Sequence, residues 1–318
     1  MGPTTLVELR DVRKARERIG DRVHRTPTFS SASLGEIAGV RLHLKAELFQ
    51  KTGSFKPRGV FNKLLALSHE ERSRGVVSLS AGNHAAALAY GATSVGTRAT
   101  IVMPTNAVAS KVDATRAYGG EVLLTERDLL EACLEIQAAR NLVLVHPFDD
   151  PLVIAGQGTV GLEILEDVPD VDAVVVPVGG GGLISGVAVA VKEQRPGVRI
   201  IGVEPEMADA MTRSLAQGSP VHLDHPQTVA DGLAAPFAGE HTLRHVQRLV
   251  DDMVTVSDED ILGALRLVWA RSKLAAEPSG AAGIAALITG RLALPAESTV
   301  VAVISGGNFD LGRLKEFL

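Results

Sequence analysis

The sequence predicts an α/β protein of two open, mainly parallel sheets, each covered by helices, with a ligand cleft between the lobes. Three observations predict it. Short, continuously apolar segments such as 173–176 and 299–304 alternate with segments of helical period, the pattern of strands buried on both faces of a parallel sheet. Loops of glycine or small polar residues follow several of those apolar segments, where open parallel sheets hold ligands. The charged stretch 68–74 and the run Pro147-Phe148-Asp149-Asp150-Pro151 interrupt the rhythm and mark crossings between lobes. The expected division is 1–68 with 148–318 as a large lobe and 69–147 as a small one.

The elements follow in order. Leu6, Leu9, Val12, Ala15 and Ile19 recur at helical spacing and open the chain with an amphipathic helix. Arg25-Thr26-Pro27 breaks that pattern, and residues 42–48 alternate like a half-buried strand. A helix after Lys56 carries Val60, Phe61, Leu64, Leu65 and Leu67 on its apolar side. Strands are then expected at 76–79, 99–103, 122–124 and 142–145, and helices at 85–96, 110–118 and 129–140. Residues 154–165 read as one helix despite three glycines. Strands at 173–176, 198–203 and 299–304 and helices at 184–192 and 281–287 complete the pattern. No fixed-period repeat or low-complexity segment is present.

Composition narrows the function. The chain has 318 residues, a net charge of −5 and no basic block, which argues against nucleic acid and anionic membranes as partners. Aromatic residues make up only 3%, too few for base- or sugar-stacking platforms. One cysteine, Cys133, lies in an apolar-periodic segment and reads as a buried structural thiol, which suits a reducing, cytoplasmic compartment. No apolar run is long enough to cross a bilayer, and the N-terminus lacks a signal-peptide core.

Four stretches carry the chemistry. In Ser54-Phe55-Lys56-Pro57-Arg58-Gly59 the proline suits a first helical turn, so Lys56 is placed at a strand-to-helix junction. The dipole of a helix N-terminus favours its neutral, nucleophilic amine. Ser80-Ala81-Gly82-Asn83-His84 follows a strand and opens a helix; its N–H groups suit an anion, although Ser80 or Asn83 as an ordinary N-cap and His84 as a surface residue explain it too. Gly179-Gly180-Gly181-Gly182 sits between a buried strand and a helix. Four glycines are costly for a turn alone, and close approach to one phosphate accounts for them. It is no Walker loop, while Glu204 keeps a dinucleotide alternative open. Ser305-Gly306-Gly307-Asn308 follows the last strand, with Asn308 as a helix cap the competing reading.

Together, in this order and over nearly the whole chain, these stretches resemble the fold-type II (tryptophan synthase beta-like) pyridoxal-phosphate enzymes, specifically the serine/threonine dehydratase and serine racemase group. The resemblance implies that Lys56 binds the cofactor aldehyde covalently and later removes the substrate α-proton. Phe55 would pack near the ring, Asn83 would bond its phenolic oxygen, and Gly179, Gly180, Gly181 and Gly182 would hold the phosphate. Ser305 would bond the pyridine nitrogen, and a neutral partner there favours loss of a β-leaving group. Glu277 would orient the ring or its loop, a helix-terminal carboxylate being the alternative. Ser80, Ala81, Gly82 and His84 would grip the substrate carboxylate through hydroxyl and N–H groups. Asp231-Gly232 would shape a loop near the site.

The implied reaction is the dehydration of L-threonine or L-serine to a keto acid and ammonia. Amino-acid racemisation, 3-hydroxyaspartate dehydration and, more remotely, a silent metabolite-binding protein are the alternatives. Two departures from the family bear on these. Ala81 stands where the racemases carry a second serine, which disfavours reprotonation from the opposite face. The family's divalent-cation site reads Glu204-Pro205-Glu206-Met207-Ala208-Asp209-Ala210, so magnesium or calcium would have only Glu204, the Ala208 carbonyl and waters. Asp209 then reads as a helix-terminus residue. A homodimer is the family expectation. The chain stops soon after Ser305, leaving no room for a C-terminal regulatory domain, so isoleucine feedback is not expected.

Overall fold

A computed structural model describes residues 6–317. The chain opens with α1 (Leu9–Ile19), β1 (Thr28–Ser30), α2 (Ala32–Ala38), β2 (Arg41–Ala46) and α3 (Lys56–Ala66). Next come α4 (His69–Arg74), β3 (Val76–Leu79), α5 (Asn83–Ser94), β4 (Ala99–Pro104), α6 (Ala109–Ala117), β5 (Glu121–Thr125), α7 (Leu129–Arg140) and β6 (Val143–Leu144). The chain continues through α8 (Pro151–Gln157), α9 (Thr159–Asp167), β7 (Ala173–Pro177), α10 (Gly182–Lys192), β8 (Arg199–Pro205), α11 (Ala210–Gln217) and α12 (Glu240–Leu249). It ends with β9 (Asp252–Val256), α13 (Asp258–Leu267), α14 (Pro278–Ile288), β10 (Thr299–Ile304) and α15 (Leu314–Phe317).

Two sheets result. The larger has the order β1-β2-β10-β7-β8-β9, parallel except for the antiparallel edge pair β1–β2. The smaller, β5-β4-β3-β6, is wholly parallel. Alternation along β7 explains why it reads as unbroken apolar sequence. Ala173 and Val175 enter the core under α13 and α14, whereas Val174 and Val176 enter the core under α9, α10 and α12. In the small sheet Val76 and Ile101 face α5, while Val77 and Val102 face Ala132 and Cys133 of α7. That core also takes Val60, Leu64 and Leu67 from α3 and its loop, and Val153 from α8, all outside 69–147.

The charged stretch 68–74 folds as helix α4, held by a capping box in which Ser68 and Glu71 exchange bonds with each other's backbone N–H. Two expectations are corrected. The strand at 42–48 ends at Ala46 and passes into a 3-10 turn, Glu47–Phe49. The single helix at 154–165 is two, broken at Gly158. Its glycines are packing residues. A Cβ on Gly156 would lie 2.5 Å from the Arg58 carbonyl oxygen, and one on Gly158 2.8 Å from that of Gly186. These contacts bring α8 against α3 and α10. No helix among the described residues is long and apolar enough to cross a membrane.

Candidate active site

Lys56 is the first residue of α3. The approach to it is tied to the end of β10: Ser54 bridges Gly306, and the Phe55 N–H donates to the Ser305 carbonyl at 3.1 Å. The lysine turns back over the Phe55 ring, 5.1 Å from its centroid, and its Nζ donates to the Pro147 carbonyl at 2.9 Å. Burial lowers its pKa to about 8, so desolvation supplies the bias toward the neutral amine that the sequence assigned to the helix dipole. His146, close by, is pushed down to about 4 by burial, and its Nδ1 accepts the Asp149 N–H at 2.9 Å.

The loop 80–84 enters α5 with Gly82 at the N-cap and no side-chain cap. Neither Ser80 nor Asn83 caps the helix. The Ser80 hydroxyl instead accepts the Gly82 N–H at 3.2 Å. Among the described residues the N–H groups of Ala81, Asn83 and His84 have no protein acceptor, which leaves an anion-binding turn open. The His84 ring is not a surface group: it is buried with Nε2 3.0 Å from the Ser78 hydroxyl, and burial holds its pKa well below the usual range.

The glycine loop links β7 to α10. Gly181 has φ +89°, a conformation that favours glycine, and a Cβ there would lie 2.5 Å from the Met211 methyl. A Cβ on Gly180 would overlap the Phe148 ring, one on Gly182 would meet the Phe148 backbone at 3.0 Å, and one on Gly179 would meet Leu233 at 3.2 Å. Close protein packing therefore also demands these glycines. The N–H groups of Gly179, Gly180, Gly181 and Gly182 nevertheless have no protein acceptor among the described residues. Since Phe148 directly follows Pro147, the same short segment touches both the lysine amine and the glycine loop.

Asn308 caps no helix. Its Nδ2 donates to the Thr52 carbonyl at 2.6 Å and to the Asn83 Oδ1 at 2.9 Å. Asn83 in turn donates to the buried Glu277 carboxyl at 2.7 Å. Glu277 sits at the N-cap of α14 but makes no side-chain cap bond there, and burial raises its pKa to about 8. Ser305 is buried, and its hydroxyl makes no hydrogen bond among the described residues. Asp231 pairs with Lys111, and the Gly232 N–H donates to the Ser279 hydroxyl at 3.0 Å.

At the segment read as a departure from the family's cation site, the Glu204 carboxyl is already engaged. Glu204 accepts the Met211 N–H at 2.9 Å, the Thr212 N–H at 2.8 Å and the Thr212 hydroxyl at 2.6 Å, so its carboxyl closes the N-terminus of α11. Ala208 is buried, and Asp209 is the N-cap residue of α11. No cluster of three metal-ligating side chains occurs among the described residues. Sequence reasoning missed the partners that hold the site. Asp149 accepts the Glu240 and Thr242 N–H groups at 3.1 Å, and Thr242 donates to the Gly180 carbonyl at 2.8 Å. The only local signal was the proline-flanked run at 147–151.

A buried amine at Pro147 and a glycine loop with unused N–H donors at Phe148 match what comparison finds. The family model described as pyridoxal-phosphate dependent enzyme matches residues 19–306. The chain belongs to the pyridoxal-phosphate-dependent enzymes. It is 46% identical over 316 residues to an L-threonine ammonia-lyase of Thermotoga maritima, covering 98% of this chain and 78% of that one. It is 40% identical to an L-threo-3-hydroxyaspartate ammonia-lyase of Saccharomyces cerevisiae, over 95% and 94% of the two chains. The structure of maize serine racemase superposes with a TM-score of 0.94 at 42% identity, covering 98% and 97%. The residues present fit the cofactor of this pyridoxal-phosphate-dependent chain. Lys56 offers an amine of lowered pKa, the glycine loop offers unpartnered N–H groups, and the buried Ser54 Oγ lacks a partner.

Proposed function

We propose that this enzyme is a lyase that deaminates a β-hydroxy amino acid such as L-threonine or L-serine to a 2-keto acid and ammonia. The observation that carries the reading is Lys56, a lysine of depressed pKa, held at the Pro147 carbonyl, one residue before the Phe148 that packs on Gly180 and Gly182. Pyridoxal phosphate, when bound, supplies an aldehyde for the amino group and an electron-poor ring that weakens the Cα–H bond. Lys56 would carry the cofactor, and Gly179, Gly180, Gly181 and Gly182 would hold its phosphate. Asn83 and Ser305 would meet the ring oxygen and nitrogen, with Glu277 orienting Asn83. The open N–H groups of Ala81, Asn83 and His84, with the Ser80 hydroxyl, would fix the substrate carboxylate. Once the substrate amino group has taken its place on the cofactor, the freed Lys56 amine would take the α-proton. Return of that proton to the β-hydroxyl would let it leave as water, and hydrolysis of the resulting enamine would give the keto acid and ammonia.

Racemisation is the second reading, supported by the similarity to serine racemase. Ala81 weighs against it, because it offers no hydroxyl to the face opposite Lys56. We place the enzyme in the cytoplasm as a homodimer; the one cysteine, buried with its pKa raised to about 11, suits a reducing compartment. Ammonia release from L-threonine, L-serine and 3-hydroxyaspartate by purified protein, compared with Lys56→Ala, tests the proposal. The expected result is keto acid and ammonia from one of the three, with activity and the visible cofactor band both lost in the variant. A colourless, inactive parent protein sinks it.

A further inference from the structure

We infer that Arg58 is a positioning residue: clamped between Glu47 and Glu163, it sets the reach of the Lys56 amine. The inference rests on the reading of Lys56 as the reacting group. Arg58 lies two residues after Lys56, in the first turn of α3, and its side chain is fully buried. Its Nε and Nη2 each donate to Glu47 at 2.8 Å. Its Nη1 and Nη2 donate to Glu163 at 2.6 and 2.9 Å. Glu47 is also held by the Thr26 hydroxyl at 2.5 Å, and Glu163 by Lys45 Nζ at 2.7 Å.

Two features make this geometry rather than stability. First, α3 starts without an ordinary cap. Its N-cap is Phe55, with no side-chain bond, and Pro57 has no N–H to anchor. Beyond the backbone ties of Ser54 and Phe55 to the end of β10, the start of the helix is fixed by Arg58 and by the Gln157 side chain, which accepts the Gly59 N–H at 3.2 Å. Second, a whole buried ion cluster can often be replaced by apolar residues of similar volume without loss of stability, although removing one partner alone is costly. What the fork provides is direction. Glu47 directly follows β2, and β2 runs in register beside β10, which leads to Ser305. Glu163 lies on α9, beneath the large sheet. The planar guanidinium therefore ties the lysine's turn to the strand end carrying Ser305 and to a helix packed under that sheet. One ammonium cannot make both forks.

The test uses full-length Arg58→Lys and Arg58→Met, with Glu163→Gln as a milder variant should Arg58→Met fail to fold. In folded Arg58→Lys, kcat per cofactor-loaded site is expected to fall about 10–100-fold with little change in KM, the scale on which a misplaced catalytic group costs rate. In the full chain without added cofactor, the pH midpoint for acylation of Lys56, read by peptide mass spectrometry, is expected to rise from about 8 toward the ordinary 10.5. Glu163→Gln should fall between parent and Arg58→Lys in both readouts. An unchanged kcat and an unmoved midpoint in Arg58→Lys overturn the positioning role, as does a lower melting temperature with both unchanged. Activity retained in Lys56→Ala would sink the underlying reading instead.

Discussion

Glu277 is a carboxyl that folding keeps protonated: burial, helped by the charge of Asp231, raises its pKa from 4.5 to about 8. Between those values the folded chain binds a proton that the unfolded chain gives up. This contribution to stability is therefore complete below pH 4.5 and lost as pH rises through 8. Glu277→Gln, which keeps the shape without the charge, should melt less steeply with pH between 5 and 8 than the parent; parallel curves would show that the group does not titrate there. Ala81 gives a second test at this scale. Ala81→Ser should raise D-enantiomer formation relative to ammonia release, and a constant ratio would refute a role for that face. Residue types at the site were legible because each stands in a short run with a chemical purpose. Their partners were not: Asn83 reaches Glu277, almost two hundred positions away, and no local pattern marks such a pair.

Elements built on unmixed patterns were readable, and those carrying compensations were not. β7 and β10 are apolar throughout because both faces are covered, so their assignment needed no context. β9 and the helices α11, α12 and α13 were not assigned from sequence, although the period of Leu243, Val246 and Leu249 in α12 and the Ser257–Asp260 capping box that starts α13 were local signs. The break at Gly158 went unread because that residue itself keeps helical φ/ψ, and Gly156 and Gly161 serve helix contacts rather than flexibility. Gly156→Ala should cost about 1–3 kcal/mol by denaturant titration, the usual penalty of overpacking a contact that has backbone on its far side. A loss under 0.5 kcal/mol would mean that α3 and α8 can separate freely, which their packing opposes. At α11 the helix start occupies the carboxyl on which a cation would depend. A chelator should therefore leave both activity and melting temperature unchanged, and loss of either on chelation would show that Glu204 has a second role.

At the scale of the molecule, the two sheets are joined by side chains as well as by the chain. The sequence order of the loops made the cleft predictable, because each loop follows a parallel strand. The bonds across it depend on tertiary placement and had no sequence signature. Lys111 of α6 pairs with Asp231, Ser110 donates to Asp310 at 3.3 Å, and Asn83 meets Glu277 and Asn308. The first of these is partly exposed, so its expected worth is about 0.2–1 kcal/mol, and salt should weaken it. Such a bond cannot hold the fold, but it ties the small sheet's α6 to the loop at Asp231, whose next residues pack on Gly179. Lys111→Met should then raise KM by roughly 1.4–5-fold, the same energy expressed as a ratio, while kcat stays near the parent value. The parent's KM should climb with ionic strength toward that of the variant, whose own KM stays flat. Equal KM values at low salt would show that substrate binding does not depend on this pair.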